Sequence, residues 1–250
     1  MKAPRLSVVV VTRNEEERIR ACLDSVAWAD ELIVVDAESE DKTASIAREL
    51  TDHVFVRPWP GYAAQKNYGV DRAAGAWILS LDADEIVTPP LRADIEGVIA
   101  LDGPADGYSV PRRNLFWGRW VRHGGLYPDR QVRLFRRGRG RFNARRVHES
   151  VQVDGEVRPL AGHLEHRSYR DVSDFLARAD RYATLAAEDL VARGRRVHAW
   201  DFVLRPLGRF VGMYVLERGF LDGSRGFLLA ALYAYYVLIR CAKVWERTRA

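Results

Sequence analysis

The stretch ILSLDADEIV, residues 78–87, runs an apolar segment directly into three carboxylates, Asp82, Asp84 and Glu85. Like charges this close repel one another unless something offsets them. A hard divalent cation bound by oxygen ligands is a common offset in proteins. The spacing therefore predicts metal or phosphate chemistry, provided that the apolar segment is a buried strand that delivers the carboxylates to one edge of a sheet.

The elements that would position these carboxylates are alternating strands and helices in the first hundred residues. The runs LSVVVV, ELIVVD, HVFVR and AWILSL are rich in β-branched and apolar residues, a pattern typical of strands buried on both faces. Ile19, Cys22, Leu23 and Val26 recur on one face of an intervening helix, and a later helix is expected to stop at Gly75. This alternation predicts an α/β fold with a mostly parallel sheet flanked by helices.

Polar residues follow the predicted strands at the points where the strands end. Ligands of open α/β sheets bind beyond these carboxyl ends. Six acid-x-acid pairs occur in the chain, and the pair Asp82/Asp84 differs from most of them because it directly follows a buried strand. We expect Thr12 and Asn14, after the first strand, and Asp36, at the end of the second, to lie nearby. Asn14 is also placed to cap the next helix.

Two chemistries use an Asp-x-Asp pair at a strand end. Haloacid-dehalogenase-like phosphatases use the first Asp as a nucleophile, but their pair usually follows the first strand and carries Thr or Val where Ile86 lies here. Glycosyl transfer uses the pair to hold a divalent ion against the diphosphate of a nucleotide sugar. The position after the fourth strand favours glycosyl transfer.

Longer segments resemble glycosyltransferase family 2 in their order and spacing. In the first half they are SVVVVTRNEEERIRACLDSV, ELIVVDAESEDKT, GYAAQKNYG and WILSLDADEIV; in the second half they include YPDRQVRLFRRGRGRF, VHES and HRSYRDVSDFLARADRYATLAA. The sequence is similar to the bacterial branch related to lipopolysaccharide-core β-glucosyltransferases. The resemblance covers nearly the whole chain, and it implies a GT-A fold and an inverting transfer from a nucleotide-activated sugar.

The resemblance implies nucleotide-binding roles for residues of the first two loops. Thr12, Asn14 and Glu15 match the motif that approaches the nucleotide. Asp36 matches the acid that binds the base or ribose, and Asp41 the acid that closes that loop. The family's usual loop reads Asp-Ser-Gly-Ser-Thr-Asp, whereas this chain reads DAESED, a departure that bears on how the nucleotide is seated.

The same resemblance implies a place for the diphosphate and its metal. Lys66 matches a basic residue that faces the donor phosphates. Asp82 and Asp84 match the metal-binding pair, with Mg²⁺ or Mn²⁺ as the implied cofactor, and Asp82 also belongs to the donor site. His166, in LEHRSY, is a further candidate ligand to the metal or diphosphate.

Inverting transfer also needs a base on the face of the sugar opposite the leaving diphosphate. We predict that Glu149, in RRVHES, is this base, and Asp129, in YPDRQ, is the alternative. His148 is a candidate to orient Glu149 or the acceptor, although an isolated histidine is more often structural.

The predicted function is metal-dependent, inverting transfer of a hexose, with glucose favoured, from a UDP-sugar to a cell-envelope glycolipid, the lipopolysaccharide inner core being the favoured acceptor. Transfer to a polyprenyl phosphate is an alternative, although the transmembrane anchors common in that group are missing. A non-catalytic membrane- or RNA-binding protein is the alternative outside the enzyme class. The run RRGRGRFNARR suits an anionic acceptor better than nucleic acid, because no nucleic-acid-binding motif accompanies it.

The composition fits a cytoplasmic protein with two regions. The chain has 250 residues, of which 48% are hydrophobic and 29% charged. Cys22 and Cys241 lie too far apart in sequence to indicate a disulfide framework or thiolate metal site, and the six-residue apolar run near the start is too short for a signal peptide. Residues 1–100 carry 11 basic and 18 acidic side chains, and the rest carry 28 and 16. We predict a GT-A catalytic domain over residues 1–150 and a helical, basic region over residues 151–250.

The C-terminal region also predicts membrane contact. The uncharged run from Phe227 to Ile239 has thirteen residues, fewer than the roughly twenty that a spanning helix needs. Upstream, RPLGRFVGMYVLERGF mixes arginines with apolar and aromatic residues, a composition typical of helices that lie in a membrane interface. We therefore predict peripheral contact with the cytoplasmic face of the inner membrane.

Overall fold

A computed structural model describes residues 5–143 and 150–249. Its strands are β1 (Leu6–Thr12), β2 (Glu31–Asp36), β3 (Val54–Val56), β4 (Trp77–Asp82), β5 (Glu85–Val87), β6 (Gly107–Phe116), β7 (Arg119–Trp120), β8 (Asp129–Arg136), β9 (Gly140–Phe142), β10 (Val151–Val153), β11 (Val157–Pro159) and β12 (Leu164–Tyr169). Its α-helices are α1 (Ile19–Asp24), α2 (Thr43–Arg48), α3 (Tyr62–Val70), α4 (Pro89–Ala100), α5 (Val172–Ala192), α6 (Asp201–Val211) and α7 (Gly223–Arg249). A π-helical turn (Gly212–Leu216) and a 3-10 turn (Gly219–Asp222) join α6 to α7.

The first four strands form the parallel sheet that the sequence predicts, in the order β3-β2-β1-β4. The sheet continues through β8, β6, β12 and β5, and β8 joins β4 in antiparallel orientation, so the complete sheet is mixed. The winding of the parallel part reverses between β1 and β4, which is where open sheets bind ligands. The register pairs Thr12 with Asp36 and Val11 with Asp82, so the predicted strand ends meet at one edge.

Both faces of β1, β2 and β4 are covered, as predicted, whereas the edge strand β3 is only partly buried and leaves Val56 exposed. Val8 and Val10 of β1 pack in one apolar cluster with α1 and α4, and the alternate residues Val9 and Val11 pack in a second cluster with α3. A Cβ atom on Gly69 of α3 would lie 2.3 Å from Cγ1 of Val9. The glycine therefore allows α3 to approach β1 closely, which places α3 over the ligand-binding edge.

The predicted cap of the first helix is wrong. Helix α1 begins at Ile19, after Arg18, and has no side-chain cap. Asn14 instead adopts a left-handed backbone conformation, with φ of 54°, and its Oδ1 accepts a hydrogen bond of 2.9 Å from the backbone N–H of Glu40. Asn14 thereby ties the loop after β1 to the loop after β2. Helix α3 also ends at Val70, earlier than the predicted stop at Gly75.

The chain folds as two compact units. The first comprises Met1–Arg112 and Asp129–His166, and the second comprises Arg113–Pro128 and Arg167–Ala250. Each unit therefore consists of two segments of the chain. The predicted division of function between residues 1–150 and 151–250 stays a prediction.

Within the second unit, α7 packs against both α5 and α6. The segment Gly219–Arg249 has 31 residues, and its most apolar window has a mean hydropathy of 1.6 and is 33% buried. By length and composition alone this helix could cross a membrane. The thirteen uncharged residues considered in the sequence thus belong to a longer helix than their number indicates.

Candidate active site

Asp82 lies at the end of β4, on the face covered by α3. Ile78 of the same strand packs in the cluster with α3, and the two-residue alternation of a strand directs Asp82 to that face. Lys66 Nζ of α3 lies 2.8 Å from Oδ1 of Asp82, and Arg133 Nη2 of β8 lies 2.8 Å from Oδ2. Both oxygens of this carboxylate are therefore engaged by cations.

This pairing lowers the pKa of Asp82. Burial by itself would raise the pKa of Asp82, but the charges of Lys66 and Arg133 and their hydrogen bonds outweigh it and hold the pKa well below its usual range. Since the folded-state pKa is the lower one, the stabilisation is fully present above the unfolded pKa of about 4 and is lost as the pH falls through the folded pKa.

We expect the free energy of unfolding to fall as the pH is lowered below about 4, and Asp82→Asn to make this dependence shallower. Urea unfolding in EDTA at a series of pH values between neutral and strongly acidic measures the slope. The matched control is Asp52→Asn, because Asp52 is exposed. An equal slope in the wild type and Asp82→Asn would contradict the role given to the pairs with Lys66 and Arg133.

Glu85 is fully buried beside Asp82 and links two arginines. Its Oε2 accepts the backbone N–H of Asp82 at 3.0 Å, and its Oε1 lies 3.4 Å from Nη1 of Arg112 and accepts a hydrogen bond from Nη2 of Arg133. Arg112 in turn donates through Nε to Oδ2 of Asp129 at 2.9 Å. Asp82, Arg133, Glu85, Arg112 and Asp129 thus alternate in charge, and we call them the acid–arginine chain.

The acid–arginine chain bears on the choice of base. The carboxylate of Asp129 accepts hydrogen bonds from Arg112 and, at 3.0 Å, from Nε2 of Gln131. These donors engage the oxygens that would have to accept a proton from the acceptor hydroxyl. Glu149 and His148 lie outside the described residues, so the prediction that Glu149 is the base stays a prediction.

Asp84 lies in the turn between β4 and β5, against a histidine of β12. Its Oδ2 is 3.4 Å from Nε2 of His166 and 3.9 Å from Nη1 of Arg18. The antiparallel pairing of β5 with β12 places His166 opposite Glu85 and so explains this proximity. The structure therefore brings together two of the three predicted metal ligands, an oxygen and a nitrogen donor.

The third predicted ligand, Asp82, forms ion pairs with Lys66 and Arg133, and its role as a metal ligand stays a prediction. Within residues 5–143 and 150–249, no group of three or more His, Cys, Asp or Glu side chains forms a metal-binding cluster. A divalent cation with phosphate and water ligands needs only one or two protein side chains, and the donor pair of Asp84 and His166 fits that requirement.

Asp36 organises the loop that is predicted to hold the nucleoside. It is fully buried, and its Oδ1 accepts the backbone N–H of Ser39 at 2.9 Å. The hydroxyl of Ser39 donates to Asp36 and accepts the backbone N–H of Asn14 at 2.8 Å. Thr12 is nearly buried, and in the described part of the chain its hydroxyl has no hydrogen-bond partner.

Further hydrogen bonds join the same two loops. The backbone N–H of Glu15 donates to Oγ1 of Thr43 at 2.8 Å, and that of Glu16 donates to Oδ2 of Asp41 at 3.2 Å. Asp41 also accepts the backbone N–H of Thr43 at 2.9 Å. The loops after β1 and β2 therefore form one connected support beside the strand ends.

The third residue of the loop DAESED adopts an unfavourable backbone conformation. Glu38 is exposed and has φ of 54°, a left-handed conformation that favours glycine, and the usual loop of the family has glycine at this position. We expect Glu38→Gly to raise the free energy of unfolding by about 1 kcal/mol, as measured by urea unfolding. Glu38→Ala is the matched control: it removes the same charge and retains a Cβ atom. An equal increase in the free energy of unfolding in both variants would show that the loss of charge, and not the backbone conformation, causes the effect.

The arginine-rich run comes near Asp82 through Phe142, whose ring centroid lies 5.2 Å from Nζ of Lys66, whereas the side chains of Arg136, Arg139 and Arg141 pair with acids elsewhere. In the strand register Arg136 lies opposite Trp77, which begins β4, so Arg136 is at the other end of the strand from Asp82. Beyond it, Arg139 Nη1 lies 3.1 Å from Oδ2 of Asp154, and Arg141 Nη1 lies 2.7 Å from Oδ1 of Asp71. These two ion pairs give no support to the predicted contact with an anionic acceptor.

Cys22 of α1 lies beneath the carboxylates. Its Sγ donates to the backbone carbonyl oxygen of Asp82 over 3.6 Å. Burial raises the pKa of the Cys22 thiol well above its usual value, and the charges of Glu85, Asp84 and Asp82 raise it further. Both cysteines are buried and unpaired by disulfides, as the sequence predicts.

The sequence interpretation missed four residues of this site, Arg18, Arg112, Arg133 and Glu85. A signal was present for Arg133, because the alternation of QVRLFRR puts it on the same strand face as the buried Phe135. Glu85 stands in ILSLDADEIV, where the sequence predicts no separate role for its carboxylate. The two remaining arginines lack a local signal, since nothing nearby in sequence indicates their partners.

Comparisons with known proteins bear on the family of this chain. The family model of Glycosyl transferase family 2 matches residues 7–149. The chain is 28% identical over 249 residues to the lipopolysaccharide core biosynthesis glycosyltransferase LpsC of Rhizobium meliloti (strain 1021), covering 97% of this chain and 92% of that protein. It is 29% identical over 255 residues to the uncharacterized glycosyltransferase RT0209 of Rickettsia typhi, with coverages of 97% and 87%.

Solved structures share the fold. The crystal structure of S. aureus TarS 1-349 aligns with a TM-score of 0.50 and 18% identity, covering 98% of this chain and 91% of that one. The structure of the same protein in complex with UDP aligns with a TM-score of 0.50 and 17% identity. These likenesses show a GT-A fold. Because the family model covers more than half of the chain, this protein belongs to glycosyltransferase family 2.

Proposed function

We propose that this glycosyltransferase transfers a hexose, glucose in the first instance, from a UDP-sugar to a cell-envelope glycolipid of the lipopolysaccharide inner-core type, with inversion and with a divalent metal. The observation that carries the proposal is the pairing of Asp84 with His166 beside the cation-held Asp82, at the point where the sheet winding reverses. The relative LpsC is named for lipopolysaccharide core biosynthesis, which supports the acceptor class.

The donor side of the proposal rests on two groups of residues. Asp36, with Thr12 and the loops after β1 and β2, would hold the nucleoside, and the fold shared with a UDP complex of TarS supports a uridine nucleotide. Lys66 and Arg133 bring two positive charges to the strand end, where they would attract the diphosphate.

Asp84 and His166 would hold Mg²⁺ or Mn²⁺. Bound there, the cation supplies charge neutralisation for the departing diphosphate. Asp82 remains with Lys66 and Arg133, and its role is to keep both cations in place. Glu149 remains our proposed base for the acceptor hydroxyl, because both oxygens of Asp129 accept hydrogen bonds from Arg112 and Gln131.

The test is a titration of UDP by isothermal calorimetry with and without Mn²⁺, followed by a transfer assay with labelled UDP-glucose. We expect Mn²⁺ to tighten UDP binding in the wild type and this enhancement to disappear in His166→Ala. The acceptors to compare are lipopolysaccharide inner-core glycolipid and polyprenyl phosphate. Transfer to polyprenyl phosphate alone would contradict the proposed acceptor. UDP affinity that is the same with and without Mn²⁺ would contradict the proposed metal site.

A further inference from the structure

Helix α6 carries an apolar stripe on the side that faces solvent. Trp200, which precedes the helix, and Val203, Leu204, Leu207 and Val211 are 60%, 63%, 61%, 54% and 38% exposed. Their spacing of three and four residues puts them along one helix face. We call these five residues the α6 stripe. In a helix of a soluble protein, the apolar face normally packs against the core.

A different face of α6 already packs against α7. The ring of Phe202 meets Trp245 edge-on at a centroid distance of 6.3 Å, and Phe210 meets Phe227 in the same way at 5.5 Å. The guanidinium of Arg209 lies over the ring of Tyr233, 5.3 Å from its centroid. The helix is therefore attached to its unit without the α6 stripe, which is available for another contact.

The segment after α6 also exposes large apolar side chains. Leu216, at the end of the π-helical turn, is 76% exposed, and Leu221, in the 3-10 turn, is 55% exposed. Many exposed large apolar side chains along one segment indicate an interaction surface in a soluble protein.

The segment that carries this surface is rich in positive charge. Residues 193–225 contain seven arginines and three acidic residues. Two of the acids have local partners: Oδ1 of Asp201 lies 2.7 Å from Nε of Arg205, and Oδ2 of Asp222 accepts the backbone N–H of His123 at 2.8 Å. The arginine excess, which includes the exposed Arg195 and Arg196, complements an anionic partner.

We propose that the α6 stripe docks into the interfacial layer of an anionic phospholipid bilayer, with the surrounding arginines at the level of the headgroup phosphates. Apolar and aromatic side chains on one face with arginines around them are the features of helices that lie in this layer. The inference deepens the proposed function, since a glycolipid acceptor lies in such a bilayer. It uses residues of the second unit that have no proposed catalytic or donor role.

The packing of α7 favours a surface contact over a membrane-spanning one. Lys243 Nζ of α7 lies 2.6 Å from Oδ1 of Asp180 and 2.7 Å from Oγ1 of Thr184, both on α5. The apolar part of α7 also packs against α5, because Leu232, Tyr236 and Ile239 share a cluster with Phe175 and Ala179. A spanning α7 would have to give up this packing or take polar residues of α5 into hydrocarbon, and both are costly. An α6 stripe lying in the interface leaves the pair intact.

The experiment measures binding of the full chain to sedimented vesicles of phosphatidylcholine, with and without phosphatidylglycerol. We expect binding to the anionic vesicles only, weakened by salt. The double variant Leu204→Ser/Leu207→Ser should lower the partition coefficient about tenfold or more. The matched control is Leu101→Ser in the first unit, because Leu101 is 85% exposed and lies far from this surface in sequence, and it should bind as the wild type does. Arg195→Gln/Arg196→Gln should weaken binding to anionic vesicles.

Three outcomes would overturn the inference. The first is no vesicle binding, or binding that the Leu204/Leu207 variant retains. The second is a wild-type dimer in sedimentation that the same variant dissociates, since the α6 stripe would then bind a second copy. The third is resistance to alkaline carbonate extraction from cell membranes, which indicates a spanning helix. UDP binding by the same variants should be unchanged, so a failure here is distinct from a failure of the proposed transfer.

Discussion

Asp84→Asn is expected to lower turnover by at least about a thousandfold, equivalent to about 4 kcal/mol of transition-state stabilisation. The substitution keeps the size of the side chain and removes the charge that faces His166 at 3.4 Å. A cation bound by Asp84 and His166 would lose the carboxylate, which is the only charged ligand of this proposed pair. The leaving diphosphate would then depart without full neutralisation, which is the step that metals assist in this chemistry.

Two measurements separate this effect from general damage. Calorimetry should show that Asp84→Asn has lost the Mn²⁺ enhancement of UDP binding, whereas Glu149→Gln should retain the enhancement and lose turnover, because a base acts on the acceptor rather than on the donor. An Asp84→Asn enzyme with near-normal turnover would remove Asp84 from the metal site. Normal turnover in Glu149→Gln would return the role of base to Asp129.

Glu85→Gln is expected to lower the free energy of unfolding by about 3–5 kcal/mol. Glu85 has no exposed surface and is the anion that Arg112 and Arg133 share. Neutralising Glu85 leaves Arg133 with Asp82 and Arg112 with Asp129, so two buried positive charges lose part of their compensation, and this accounts for the loss. Urea unfolding at neutral pH measures it.

The matched control is Glu96→Gln. Glu96 forms a 2.9 Å pair with Arg92 one turn away on α4, and both side chains are about half exposed, so its loss should cost less than about 0.5 kcal/mol. The double variant Glu85→Gln/Arg133→Gln should cost less than the sum of its single variants, because the buried arginine charge leaves with its partner. A Glu85→Gln variant as stable as Glu96→Gln would show that the acid–arginine chain does not contribute to stability.

The parallel half of the sheet could be predicted from the sequence because its signals are local. Each strand is a continuous apolar run, and a helix follows each of the first three. The connection rules then bring Thr12, Asp36 and Asp82 to one edge. No comparable connection rule predicts the strand order of the antiparallel half. Asp82 and Glu85 share one partner on β8, Arg133, which lies 51 and 48 residues away from them in sequence. Only the folded sheet brings Arg133 between the two carboxylates.

Backbone conformation was also beyond local pattern reading. Asparagine often caps helices, but Asn14 has a left-handed φ and accepts a hydrogen bond from Glu40. It therefore joins two loops, a role that depends on the neighbouring loop. The sequence shows that DAESED departs from the usual loop of the family, but the conformational cost of the departure depends on the φ of Glu38. In the C-terminal region, composition indicated an interfacial helix, but which face of α6 remains exposed depends on its packing against α7.

The buried position of Cys22 makes it a natural chemical reporter for the strand ends. Its thiol is held against the carbonyl of Asp82 and beneath three carboxylates, so thiol reagents can modify it only after this part of the fold opens. The rate of alkylation therefore measures the frequency of local opening at the donor site. Ligands that stabilise the closed strand ends should slow that rate without any engineered label.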